Sequence, residues 1–178
     1  MEPLTPTTYA HFDSDQSNVV TERIATEDNY VYQTIPTLDL SDQKAIEFSV
    51  KAKNDAHVLL TMGDNNGEEG MFEIVIGGWG NTKSMIRRAK QGEGIVERAG
   101  TINSGSEHVN FVLDWNTPRV LKLYRKSDAS PPDLLMETPE QPDSDLNIKS
   151  MAVATGWGST GDWTVQVPSH SRRVNCAT

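Results

Sequence analysis

Apolar residues recur at every second position along much of this chain. Ile46, Phe48, Val50 and Ala52 alternate with Glu47, Ser49 and Lys51. Val109, Phe111, Leu113 and Trp115 repeat the pattern, and so do Trp163, Val165 and Val167. A period of two sends one set to one face of a sheet and the polar set to the other. HVLLTM (57–62), MFEIVI (71–76), RVLKLY (119–124) and KSMAVAT (149–155) read as further strands, with YVYQTI (30–35) as the first well-ordered one. The acidic, Pro-rich stretch 127–147 suits an edge strand around Leu134 to Met136.

Turn signals separate these segments: GDNNGEEG, GGWGN, NSGSE, NTP and GSTGD. No stretch keeps a helical period over eleven residues. Roughly ten short strands with frequent turns predict an all-β chain, an antiparallel two-sheet β-sandwich of jelly-roll-like form. Residues 1–17 and 169–178 read as flexible ends around a single domain at 18–168.

One turn needs separate treatment. Gly77-Gly78-Trp79-Gly80-Asn81-Thr82-Lys83-Ser84 follows an apolar strand and comes close to the G-x-x-x-x-G-K-[ST] loop that cradles phosphates, with Thr82 where the second glycine belongs. A phosphate loop works because a helix begins at its Lys-Ser and aims free N–H groups at the anion. Here MIRRAKQGEG follows, and Gly92 and Gly94 interrupt it. The nucleotide reading fails on that ground. A second copy, Gly156-Trp157-Gly158-Ser159-Thr160, follows another apolar strand. Glycines on both sides let each turn stay tight and still present an indole. Either the two tryptophans cap the core, or both line one shallow pocket at the same end of the sandwich.

Asn81, Lys83, Ser84, Arg87 and Arg88 form the densest polar cluster that carries positive charge. On a strand, Lys83, Met85 and Arg87 would share one face and Ser84, Ile86 and Arg88 the other. A ring beside an amide and a guanidinium is how sites hold sugars and small acids. The candidate ligand-binding set is therefore Trp79, Asn81, Arg87, Arg88 and Trp157.

Composition narrows the partners. The net charge of −9 works against nucleic acid or an anionic membrane, which need clustered Lys and Arg. No apolar run approaches the roughly 20 residues of a membrane span. The start, MEPLTPTTYAHFDSDQ, lacks the regions of a signal peptide, and the single cysteine, Cys176, closes no internal disulfide. Together these point to a cytoplasmic chain, with a mature secreted form left open. His57 beside Asp55 reads as a structural histidine rather than a metal or acid–base group. Asp64 to Glu69 reads as a solvated loop without calcium-loop spacing. No metal site and no catalytic triad is expected.

NDAHVLL (54–60), FEIVIGGWGNTKSMIRR (72–88), GTINSGSEHVNFVLDW (100–115) and TGWGSTGDWTV (155–165) resemble, in this order, the farnesoic acid O-methyltransferase domain family of invertebrates, over about residues 29–167. The resemblance implies S-adenosylmethionine as cofactor and farnesoic acid as substrate, in juvenile hormone synthesis. It also implies modules of larger extracellular proteins that look like binding units. The residues offer no glycine-rich strand-to-helix turn of the kind that holds such a donor. The expectation is thus a non-catalytic recognition domain for a glycan or small polar ligand, without cofactor. The methyltransferase and a protein-interaction module are the alternatives. Oligomeric state and ligand identity stay open.

Overall fold

The computed structural model describes residues 19–62, 70–128, 130–142 and 145–168. The Asp64–Glu69 loop, the two ends expected to be flexible, and Cys176 lie outside them. Among the described residues, twelve strands form two six-stranded antiparallel sheets. They are β1 (Val19–Thr26), β2 (Gln33–Thr34), β3 (Ala45–Ala52), β4 (Ala56–Met62), β5 (Met71–Gly77) and β6 (Lys83–Arg87). Then come β7 (Gly94–Ala99), β8 (Val109–Asp114), β9 (Lys122–Ser127), β10 (Ser130–Glu137), β11 (Ile148–Thr155) and β12 (Gly161–Pro168). The first sheet runs β1-β12-β3-β8-β9-β10 and the second β2-β11-β4-β5-β6-β7. The chain changes sheet on both sides of β2, between β3 and β4, between β7 and β8, and on both sides of β11. Those crossings make the sandwich jelly-roll-like.

The alternating positions meet between the layers. Ile46, Phe48 and Val50 of β3 and Trp163 and Val165 of β12 face Val58 and Leu60 of β4 and Phe72, Ile74 and Ile76 of β5, all fully or almost fully buried. Phe48 stacks on Phe111 with ring centroids 5.5 Å apart. Trp163 satisfies its indole N–H on Thr26 Oγ1 at 2.9 Å, so the largest ring of β12 is buried without an orphan donor. Each such ring removes on the order of 150–250 Å² from water, the main force holding the sheets together.

Some segments differ from their sequence reading. The first strand is VVTERIAT, not YVYQTI, of which only Gln33–Thr34 pairs. Tyr30 takes a left-handed φ of 53°, and its hydroxyl and that of Tyr32 are spent on Glu73 instead. GIVERA forms β7, because Gly92 turns the chain and Gly94 packs its backbone against Met85 on β6, where a Cβ would sit 2.6 Å from the sulfur. Lys83 and Ser84 open β6, so no helix N-terminus forms at the Lys-Ser pair. The edge strand around Leu134 to Met136 is present as β10, with bulges on either side of Asp133–Leu134. No helix among the described residues is long and apolar enough to cross a membrane.

Candidate functional site

The two G-W-G turns meet at one end of the sandwich. After β5, Gly77 has φ +62°, and Trp79, Gly80 and Asn81 follow at +52°, +70° and +65°. Gly77 is obligatory on two counts, since a Cβ there would also lie 2.5 Å from Asn81 Oδ1 and 2.6 Å from Asn103 Nδ2. Thr82 closes the turn by donating its N–H to Gly78 O (3.0 Å) and its hydroxyl to Trp79 O (2.8 Å). After β11, Trp157 has the same φ of 52°, followed by Gly158 at 91°. Ser159 N–H donates to Gly156 O, and Gly158 N–H donates to Asp28 Oδ1.

The link between the turns is Asn54-Asp55, on the short connection from β3 to β4. The Asn54 amide donates to Trp157 O at 3.1 Å, and the Asp55 N–H donates to Gly77 O at 2.8 Å. One dipeptide thus ties both tryptophan turns to the same strand end. Both indoles remain about half exposed, Trp79 at 48% and Trp157 at 55%. They line one cavity of about 540 Å³ with Lys53, Asn54, Asp55, His57, Gly80, Arg87 and Gln91.

Below the cavity lies a charged cluster on the outer face of the second sheet. Glu73 stands opposite Arg87 in the β5–β6 register and is fully buried. Its carboxylate accepts from the hydroxyls of Tyr30 and Tyr32 (the latter at 2.6 Å) and from Gln91 N–H at 2.9 Å. Arg87 Nη1 lies 3.4 Å away. Burial alone would raise the Glu73 pKa, but His57, both tyrosines and the Gln91 amide outweigh it and hold the carboxyl at about 2. Burial, then the neighbouring carboxylate, pushes both tyrosines well above their ordinary range.

His57 sits between two carboxylates, Nε2 3.7 Å from Asp55 and Nδ1 3.8 Å from Glu73. Those distances are electrostatic contacts rather than hydrogen bonds, and among the described residues neither ring nitrogen has a hydrogen-bond partner. Burial favours the neutral ring, yet Asp55 and Glu73 together win and raise its pKa above 6.5. Lys83 lies over the Trp79 ring, 4.2 Å from its centroid, and Arg87 approaches it at 5.6 Å.

Of the five residues singled out in the sequence, Trp79, Arg87 and Trp157 come together at the cavity. Asn81 does not line it: its Oδ1 accepts from the N–H groups of Ile102 and Asn103, and its amide donates to Asn103 O. Arg88 points to the other face of the sheet, its guanidinium over the Phe72 ring and bonded to Gln141. Strand parity separates the two arginines. Tyr30, Tyr32, Glu73 and Gln91 escaped the sequence reading. Glu73 had a signal, being an acid in the middle of the apolar run MFEIVI. Tyr30, Asp55, Trp79, Asn81, Gln91 and Trp157 all have positive φ, so backbone strain concentrates around this site. Among the described residues, no group of three or more His, Cys, Asp or Glu is placed to hold a metal ion.

Solved structures with related architecture include the Bacillus licheniformis β-glucanase (17% identity, TM-score 0.47, covering 85% of this chain and 83% of that one). The Ruminococcus gnavus sialidase module CBM40 bound to α2,3-sialyllactose is 12% identical, with a TM-score of 0.42 over 80% of this chain and 90% of that one. The exoplasmic domain of VIP36, in a form holding Ca²⁺ and Man3GlcNAc, is 8% identical, with a TM-score of 0.47 over 91% and 90%. No curated protein sequence matches the chain. Residues 26–169, from the last residue of β1 to just beyond β12, match the model of the family described as farnesoic acid O-methyl transferase, and the chain belongs to that family.

Proposed function

We propose that the domain is a non-catalytic recognition module that binds a carbohydrate or other small polar ligand in the cavity shared by Trp79 and Trp157. The observation that carries this reading is the pair of half-exposed indoles on left-handed turns, held to one strand end by Asn54 and Asp55. Each non-glycine residue at positive φ costs about 1–3 kcal/mol, a cost that packing alone does not require of an exposed ring. Flat apolar faces suit the C–H faces of a sugar ring, and the amide of Gln91 suits its hydroxyls. The cavity volume falls in the usual range for small-molecule sites.

A glycan array, followed by tryptophan fluorescence titration of each hit, tests the reading. Binding by the native domain that is lost in Trp79→Ala and Trp157→Ala supports it. Hits that survive the double substitution, or an array without hits, sink it.

The family assignment favours a second reading, S-adenosylmethionine-dependent methylation of farnesoic acid. Arg87 is the group that would orient the carboxylate. Incubation with labelled S-adenosylmethionine and farnesoic acid decides it: label in methyl farnesoate, lost in Arg87→Ala, would replace the recognition reading with the enzymatic one.

A further inference from the structure

We propose that the cavity takes an acidic saccharide, whose carboxylate or sulfate is met by Lys53 and by the guanidinium of Arg87. This rests on the recognition reading above and adds the charge of the ligand to it.

The argument begins with a charge inventory. Beneath the cavity, Glu73 and Asp55 oppose Arg87 and His57, so the buried groups cancel when the imidazole is protonated. Both oxygens of Asp55 are engaged, Oδ2 by the Asn54 amide at 2.6 Å and Oδ1 by His57. Nothing acidic in the lining is left to receive a cation. Lys53 is exposed at the rim and forms no ion pair with any described residue. It is therefore the uncompensated charge of the cavity, in a chain whose net charge is −9. Lys83, the next ammonium, is already paired with Glu97 at 3.0 Å and lies over Trp79.

The second observation is Arg87 itself. Its side chain is only 9% exposed and lines the cavity, and among the described residues its guanidinium makes no hydrogen bond, Nη1 lying 3.4 Å from Glu73. A buried donor without an acceptor is costly, and an anionic oxygen is the acceptor that satisfies a guanidinium best. The rest of the lining says what carries that anion. An aliphatic acid would need an enclosed apolar tunnel for its tail. This cavity instead sets two indoles beside the amide of Gln91, which fits a hydroxylated ring.

Titration calorimetry with trigalacturonate, its fully methyl-esterified form and a sulfated galactose trisaccharide tests this. The esterified probe keeps the shape of the first and removes its charge. A charged probe should bind about tenfold tighter than the ester, and whichever charged probe wins separates carboxylate from sulfate. Lys53→Gln, at an exposed position that should leave the melting temperature unchanged, should weaken the charged probe about three- to fivefold and leave the ester alone. Arg87→Lys keeps the charge opposite Glu73 but removes the planar fork of donors, and should weaken the charged probe about tenfold. Equal binding of ester and acid, both lost in Trp157→Ala, would overturn the acidic ligand and leave the recognition module standing. Binding of neutral array glycans with none of these three probes bound overturns it equally. No binding to any saccharide removes the recognition reading, and this inference with it.

Discussion

The imidazole of His57 lies flat against the indole of Trp157, with centroids 5.2 Å apart and planes 20° apart. Tyr30 meets the same indole edge-on at 4.9 Å. The exposed ring is therefore propped from behind by the buried charged cluster, so its orientation and the protonation of His57 belong to one arrangement.

That arrangement sets a pH window. Glu73 is held at about 2 against an ordinary 4.5, so its contribution is fully present above pH 4.5 and is lost as pH falls through about 2. His57 is raised above 6.5, so its contribution is present below pH 6.5 and is lost as pH rises through its folded value. Thermal melts should show greatest stability from these two groups between about pH 4.5 and 6.5. In His57→Gln the decline on the alkaline side should flatten. An unchanged slope would mean that His57 is neutral in the fold.

Glu73→Gln keeps the size of the side chain and removes its charge. It leaves Arg87 and His57 facing a neutral amide in a buried setting, and should cost about 3–5 kcal/mol in urea denaturation. A loss below 1 kcal/mol would show that the cluster reorganises without its central carboxylate.

The two kinds of tryptophan should respond differently. Trp163, fully buried between Phe48 and Thr26, should cost about 3–5 kcal/mol when changed to Ala. Trp79 and Trp157 should cost far less. At their left-handed backbone, Gly should be more stable than Ala by about 1 kcal/mol. Comparing Trp157→Gly with Trp157→Ala by thermal melting checks this, and an Ala variant that melts higher would refute the strain.

Asn81→Ala should act on stability and not directly on the ligand. It removes the acceptor of Ile102 and Asn103 N–H and a donor to Asn103 O, in a left-handed position that Asn tolerates better than Ala. A loss of about 2–3 kcal/mol is expected. Hydrogen exchange should locate it at residues 102–103.

How much of this could be read beforehand follows from what each segment answers to. Ile46 to Ala52 and Trp163 to Val167 obey a single demand, one buried face, and alternation reports it directly. The repeated G-W-G likewise announced two turns of one kind. Tyr30 and Tyr32 look like a strand because their composition is that of a strand, yet Glu73, some forty residues away, takes their hydroxyls. No local pattern contains that partner. Arg87 and Arg88 were separable only by strand parity, and parity becomes definite only once the start of β6 is fixed at Lys83.

Trp79 hangs from a hairpin within one sheet, between β5 and β6, whereas Trp157 hangs from the crossing that carries the chain from β11 in that sheet to β12 in the other. A molecule seated on both rings therefore acts as a clasp between that hairpin and the β11–β12 crossing. Sliding one layer over the other changes the spacing of the jaws and must break the grip before the core can open. Pulled from its ends, the loaded domain should yield at higher force than the empty one, with the ligand lost in the first step of the rupture.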